Sequence, residues 1–119
     1  MKVILDEGVP EALADRISGH EVSSVGSRGW KSVKNGKLLN LIEAAGCEAL
    51  ITHDKRMERE QALERRPFAT LILSVSNWEI IRYRVADIQT AIDEAQPGEV
   101  TRVDVGRFVP RRFRNIGPV

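Results

Sequence analysis

The sequence has a single cysteine and almost no excess of charge. Among its 119 residues only Cys47 is a cysteine, so neither an internal disulfide nor a cysteine-based zinc knuckle is available. Eighteen basic and seventeen acidic residues leave a formal net charge of +1. That balance excludes a strongly basic, histone-like nucleic-acid binder but not a local basic patch. The two histidines, His20 and His53, lack the spacing of helical metal ligands.

Long apolar runs and nucleotide-binding loops are also missing. No run approaches the roughly 18 apolar residues of a membrane span. The first apolar run, residues 3–5, meets two carboxylates at once, unlike a signal peptide. The sequence contains no P-loop and no Gly-x-Gly-x-x-Gly loop. We therefore expect a cytoplasmic protein with no membrane contact. Its hydrophobic (42%) and charged (29%) fractions are typical of a single globular domain.

Short apolar runs alternate along the chain with amphipathic or charged stretches. The apolar runs predict strands at residues 3–5, 20–25, 48–52, 70–75 and 100–109. The stretches between them predict helices at residues 13–18, 37–45, 55–66 and 78–95, the second capped by Asn35 and ended by Gly46. Strict alternation predicts a three-layer α/β/α sandwich with a mostly parallel central sheet of about five strands. We assign this domain to residues 1–106 and a basic C-terminal tail to residues 107–119.

Carboxylates follow two of the predicted strands. Asp6 and Glu7 come after the first strand, and Asp54 comes after the third. Because ligands of an open parallel sheet bind beyond the carboxyl ends of its strands, these groups are expected at one edge. Carboxylates gathered there repel one another unless a cation lies among them, and their hard oxygens suit Mg²⁺ or Mn²⁺. The pattern predicts a metal site on Asp6 and Asp54, with Glu7 and Glu43 as further candidate ligands.

Basic, aromatic and amide side chains are expected at the same edge, several of them in the glycine-rich loop 26–36. Cations hold phosphates and aromatic rings stack on bases, so this set indicates RNA binding. Its members are Arg28, Trp30, Lys31, Lys34, Asn35, Lys55, Arg56 and Asn77. Purely structural roles stay open at this point. Asp6, Asp54 and Asn77 stand where helix caps are expected, and Trp30 could simply cover the core.

Four short motifs occur in a fixed order along residues 1–105. They are Val3-Ile4-Leu5-Asp6-Glu7 with Pro10, Gly19-His20-Glu21-Val22, Gly29-Trp30 with Lys34-Asn35-Gly36 and Leu38-Leu39, and Leu50-Ile51-Thr52 with Asp54-Lys55. Together they resemble a short bacterial branch of the PIN-like domains, related to VapC-type toxin ribonucleases. The resemblance implies a PIN-like α/β/α fold and a Mg²⁺- or Mn²⁺-dependent ribonuclease acting on RNA. It also implies the toxin half of a toxin–antitoxin pair, with a cognate antitoxin protein as partner and a homodimer as the assembly.

The resemblance carries over to individual positions. The first acidic position of the family falls on Asp6, and the acidic position after the third strand falls on Asp54; both are implied to be catalytic. Two positions depart from the family pattern, since Asn35 replaces a common acidic residue and Arg56 replaces a common Asp or Asn. The acidic cluster is therefore incomplete. The alternative interpretation is a catalytically inactive PIN-like module that binds RNA or a protein.

A phosphoacceptor receiver domain has a related pattern of acidic residues. Receivers carry an acidic pair after the first strand and an aspartate after the third, in a chain of similar length. They also need a lysine after the fifth strand. No lysine flanks the strand predicted at residues 100–109, and arginine is a poor substitute for that compact charge. The sequence therefore disfavours a receiver.

Overall fold

The computed structural model describes residues 1–105; the predicted tail, 107–119, lies outside them. The described strands are β1 (Lys2–Leu5), β2 (Glu21–Ser24), β3 (Ala49–Thr52), β4 (Ala69–Leu73) and β5 (Val100–Val103). The α-helices are α1 (Asn35–Ala44), α2 (Lys55–Glu60), α3 (Trp78–Ile81) and α4 (Val85–Asp93). Two 3₁₀ helices cover Glu11–Arg16 and Leu63–Arg65.

The five strands form one sheet in the order β2-β1-β3-β4-β5, and every neighbouring pair is parallel. All residues of β3 and β4 are buried, as expected for central strands of a parallel sheet covered on both faces. Their continuous apolar sequences, rather than an alternating pattern, follow from this double burial. The predicted α/β fold with a parallel sheet of about five strands is therefore confirmed.

Two separate hydrophobic cores cover the two faces of the sheet. On one face, Leu5 packs with residues of the first 3₁₀ helix and of α3 and α4, among them Leu13 and Ile88. On the other face, Ile4 packs with residues of α1 and α2, among them Ile42 and Met57. Successive residues of β1 thus face opposite layers, as the pleat requires. None of the helices within residues 1–105 combines the length and apolarity needed to cross a membrane.

Two predicted helices are shorter than their sequence patterns indicate. The charged helix predicted at 55–66 leaves helical geometry at Gln61 (φ −119°, ψ 142°), because Met57 is the one residue of α2 that is buried and little apolar contact holds a longer helix. The helix predicted at 78–95 is split into α3 and α4 by Arg84 (φ −123°, ψ 21°). The buried residues keep their spacing across this break, so the periodicity identified the buried face but not the change in backbone direction.

The chain leaves β1 and β3 toward opposite faces of the sheet. After β1 it enters the 3₁₀ helix of the first core, and after β3 it enters α2 of the second core. A sheet with this strand order has its topological switch point between β1 and β3, and ligands bind in the crevice beyond the carboxyl ends of those strands. The residues after Leu5 and after Thr52 therefore occupy the position where a ligand site is expected.

Candidate functional site

A surface cleft of about 520 Å³ lies at this switch point. Its lining residues follow β1 or β3 or begin α1: Asp6, Glu7, Asn35, His53, Asp54, Lys55 and Arg56. The structure thus brings together the two aspartates that the sequence singled out. It also brings Asn35, Lys55 and Arg56, three of the predicted RNA-binding residues, to the same cleft.

Asp6 is a buried carboxylate with 7% of its surface exposed. Its Oδ2 atom accepts a hydrogen bond of 2.6 Å from the Thr52 hydroxyl, and its Oδ1 atom accepts one of 2.7 Å from the Glu7 backbone N–H. Burial raises the pKa of Asp6 because it disfavours the charged form, and these hydrogen bonds only partly oppose the shift. The nearby negative charge of Asp54 raises the pKa further.

Asp54 caps the start of α2 and also faces the cleft. Its Oδ1 atom accepts hydrogen bonds from the backbone N–H groups of Arg56 (2.9 Å) and Met57 (3.3 Å). Its Oδ2 atom accepts one of 3.2 Å from Nδ2 of Asn35. Partial burial alone would raise the pKa of Asp54, but the hydrogen bonds from Asn35 and the backbone, together with the positive charge of Arg56, outweigh burial and lower it. Asp54 is therefore both a helix cap and a carboxylate of the cleft.

The helix-capping role predicted for Asn35 is not observed. Asn35 does not cap α1; it is the first residue of that helix, and the capping position belongs to Lys34, whose side chain makes no capping hydrogen bond. The Asn35 amide instead supports the Asp54 carboxylate. At this position an amide donates a hydrogen bond to the carboxylate, where an acidic side chain would add a repelling charge. Gly46, with φ of +74° just after α1, ends the helix as predicted.

The loops after β1 and β3 are in direct contact beneath the cleft. Thr52 has no exposed surface, and its hydroxyl accepts the Asp54 backbone N–H at 3.0 Å. The His53 ring lies over Gly8, so closely that a Cβ atom on Gly8 would lie 2.5 Å from Nε2 of His53. Gly8 also has φ of +95°, where other residues are strained. Glycine at this position lets the two loops approach each other.

Within residues 1–105, neither Asp6 nor Asp54 takes part in an ion pair. The Lys55 ammonium donates to the Ser74 carbonyl at 2.9 Å, and Arg56 is exposed. The described residues also contain no group of three or more His, Cys, Asp or Glu side chains arranged to hold a metal ion. The carboxylates that line the cleft are those of Asp6, Glu7 and Asp54.

The other two predicted ligands differ in their positions. Glu7 lines the cleft, is exposed, and accepts a hydrogen bond of 2.9 Å from the Ser32 backbone N–H. Glu43 is not brought to the cleft. It lies near the end of α1, where its carboxylate pairs with Arg66 at 3.1 Å. Helix α1 starts at the cleft with Asn35, so its last turn points to the opposite edge of the sheet.

Most of the predicted RNA-binding residues outside the cleft lie in the segment between β2 and α1. Lys31 and Lys34 are exposed, and the Arg28 guanidinium lies 5.4 Å from the centre of the Trp30 ring. Trp30 is partly buried against the core next to α1. This segment reaches the cleft through the contact between Ser32 and Glu7.

Asn77 is separate from the cleft and caps α3. Its side chain accepts the Glu79 backbone N–H at 2.8 Å. Two residues at the site were not selected from the sequence: His53, which lines the cleft, and Thr52, which makes hydrogen bonds with both aspartates. One pattern could have identified Thr52: a hydroxyl residue ends an otherwise apolar strand, two positions before Asp54.

No protein-family model, no curated protein and no solved structure matches this chain.

Proposed function

We propose that this protein is a Mg²⁺- or Mn²⁺-dependent ribonuclease of the PIN-like type, with its active site in the cleft between β1 and β3. One observation carries the proposal: two carboxylates, Asp6 and Asp54, share a cleft, and within residues 1–105 neither forms an ion pair, although the charge of Arg56 acts on Asp54 from the cleft wall. Holding a buried carboxylate beside a second one is costly unless a cation accompanies them. This cost is visible in the pKa of Asp6, which is raised by burial and raised further by the negative charge of Asp54.

The donor set fits a small divalent cation. Carboxylate oxygens are hard ligands, and Mg²⁺ typically takes one or two protein carboxylates and completes its shell with waters and substrate phosphates. Both oxygens of Asp6 and Oδ2 of Asp54 each accept one hydrogen bond and keep a lone pair for a cation, whereas Oδ1 of Asp54 already accepts two. When bound, such an ion would stabilise charge on the phosphoryl group and favour attack by water. Asp6 and Asp54 would hold it, and Glu7 stands at the rim to assist.

The cations around the cleft support RNA as the substrate. Lys55 and Arg56 line the cleft and carry the positive charge that binds RNA phosphates. Lys31 and Lys34 extend this positive surface along the segment before α1. Arg56, which departs from the family pattern, would bind substrate rather than metal. The Asn35 amide orients the Asp54 carboxylate and contributes to its lowered pKa.

The proposal includes the biological setting implied by the resemblance to PIN-like domains. In that setting the protein is the toxin of a toxin–antitoxin pair, is a homodimer in the cytoplasm, and binds a cognate antitoxin. The order of the four sequence motifs supports this family assignment, and the α/β/α architecture is compatible with it.

The direct test measures cleavage of fluorescently labelled single-stranded RNA with Mn²⁺ or Mg²⁺. We expect cleavage by the wild type and a loss of at least about 100-fold in Asp6→Asn and Asp54→Asn, as for removal of an essential electrostatic group. Glu43→Gln removes the same charge away from the cleft and is expected to cleave normally. Circular dichroism verifies that each variant is folded. Equal cleavage by Asp6→Asn and the wild type would indicate a contaminating nuclease.

A second candidate function is a non-catalytic PIN-like module that binds RNA or a protein. The observation that favours it is the absence, within residues 1–105, of any three-residue metal-binding group, together with Arg56 in the cleft. This alternative predicts no metal-dependent turnover. It predicts instead RNA binding that weakens steeply with salt, or a stable complex with a partner protein.

The strand order β2-β1-β3-β4-β5 also occurs in phosphoacceptor receiver domains. After β5 the described chain continues with Asp104 and Val105, where a receiver needs a lysine. Incubation with a small phosphodonor such as acetyl phosphate tests this alternative, and we expect no phosphorylation.

A further inference from the structure

Among the described residues, Thr52 is the one whose side chain makes hydrogen bonds with both aspartates of the cleft. It is the last residue of β3 and has no exposed surface. Its hydroxyl donates to Oδ2 of Asp6 at 2.6 Å and accepts the backbone N–H of Asp54 at 3.0 Å. A hydroxyl has a single hydrogen, and an ionised carboxylate only accepts. The direction of both hydrogen bonds is therefore fixed.

The Asp6 backbone is held independently of Thr52. Its N–H donates to the Ile51 carbonyl at 2.9 Å, which continues the pairing of β1 with β3. The Asp6 side chain, in contrast, has two described hydrogen bonds, one from the neighbouring Glu7 N–H and one from Thr52. Without the hydroxyl, the carboxylate would be held by one oxygen only and could rotate.

We propose that Thr52 is a positioning residue that sets the geometry of Asp6 and Asp54 for a divalent cation. This inference rests on the proposed function, since a shared cation is what the positioning serves. Groups that hydrogen-bond to metal ligands fix the orientation of those ligands, and their loss typically lowers metal affinity about 10- to 100-fold. Thr52 contributes to both ligands at once because it lies between the strand ends that carry them.

Two variants at position 52 and one control separate positioning from packing. Thr52→Val keeps the shape of the side chain and removes the hydroxyl, whereas Thr52→Ser keeps the hydroxyl and removes a methyl group. Thr70→Val makes the same replacement at another threonine with no exposed surface, in β4, whose hydroxyl has no hydrogen-bond partner among residues 1–105. Isothermal titration with Mn²⁺ on the full chain measures affinity. Circular dichroism at the titration temperature verifies folding.

We expect Thr52→Val to bind Mn²⁺ about 10- to 100-fold more weakly than the wild type. Thr52→Ser and Thr70→Val are expected to stay close to the wild-type affinity. A role in packing alone would instead affect Thr52→Ser, which loses core volume. Wild-type affinity in a folded Thr52→Val protein would overturn the positioning role and leave the proposed metal site standing. No Mn²⁺ binding by the wild type would overturn both. If Thr52→Val is unfolded, the folded Thr52→Ser protein decides the question. A loss of Mn²⁺ affinity in Thr52→Ser overturns the positioning role, and wild-type affinity supports it.

Discussion

Thr70 and Thr52 are strand threonines with no exposed surface, yet their hydroxyls have different surroundings. Thr70 lies in β4 in register with Leu50 and Val100, and its Oγ1 atom has no hydrogen-bond partner among residues 1–105. Burying a hydroxyl without a partner costs about 1–3 kcal/mol in protein mutational data. Valine has almost the same shape and removes that cost. We therefore expect Thr70→Val to raise the free energy of unfolding by about 1–2 kcal/mol.

The same replacement at Thr52 should have the opposite effect. It removes the hydrogen bond to the Asp6 carboxylate, a type of bond that contributes about 1.5–3 kcal/mol. It also leaves the Asp54 backbone N–H without its partner. We expect Thr52→Val to lower the free energy of unfolding by about 2–4 kcal/mol, most of it from these two lost contacts. The pair of variants thus isolates hydrogen bonding, because side-chain shape and depth of burial are matched.

Urea unfolding followed by circular dichroism measures both effects, with thermal unfolding as a second assay. In a domain of 119 residues each kcal/mol moves Tm by about 4 °C, so Thr70→Val should melt about 4–8 °C higher than the wild type. A loss of stability in Thr70→Val would refute the reasoning. So would shifts of the same sign in both variants, since hydrogen bonding would then not control the outcome.

Two further predictions concern the cleft. Asp6→Asn should be more stable than the wild type at neutral pH, because the raised pKa of Asp6 means that its ionised form disfavours the folded state. This difference should shrink as pH falls through the folded-state pKa and vanish below the ordinary value of 3.8; urea unfolding from pH 7 down to pH 3 measures it, and a constant difference would contradict the assignment. In RNA titrations, replacing Lys55 and Arg56 by glutamine should reduce the slope of log affinity against log salt by about 1.4, at roughly 0.7 per lost phosphate contact. As a control, glutamine at Arg65 and Arg66, two consecutive arginines at the end of the second 3₁₀ helix, should leave this slope unchanged.

The buried strands and the long amphipathic stretch differ in how much of their structure the sequence predicts. The apolar runs around Leu50 and Leu71 predicted buried parallel strands, because burial on both faces requires continuous apolar sequence. The periodicity over residues 78–95 correctly marked Ile81, Ile88 and Ile92 as buried. It did not show the break between α3 and α4, because spacing reports which side is buried and not whether the axis is continuous.

The site shows the same division. That Asp6 and Asp54 reach one edge follows from strand ends in a parallel sheet, so sequence alone could predict it. The sequence alone could not exclude Glu43 from the metal site. Its distance from the cleft follows from the length and direction of α1, which bring its carboxylate to Arg66. Asn35 and Thr52 acquired their roles from contacts with residues distant in the chain.

The sequence by itself determined the alternation of strands and helices, the buried positions and the carboxylates at the ends of β1 and β3. These properties depend on local pattern and on the residue types that follow each strand. Only the tertiary structure decided which of those residues share a cleft and which hydroxyl or amide supports each carboxylate. Hydrogen bonds join atoms within about 3 Å, and that proximity arises from packing distant segments of the chain against one another.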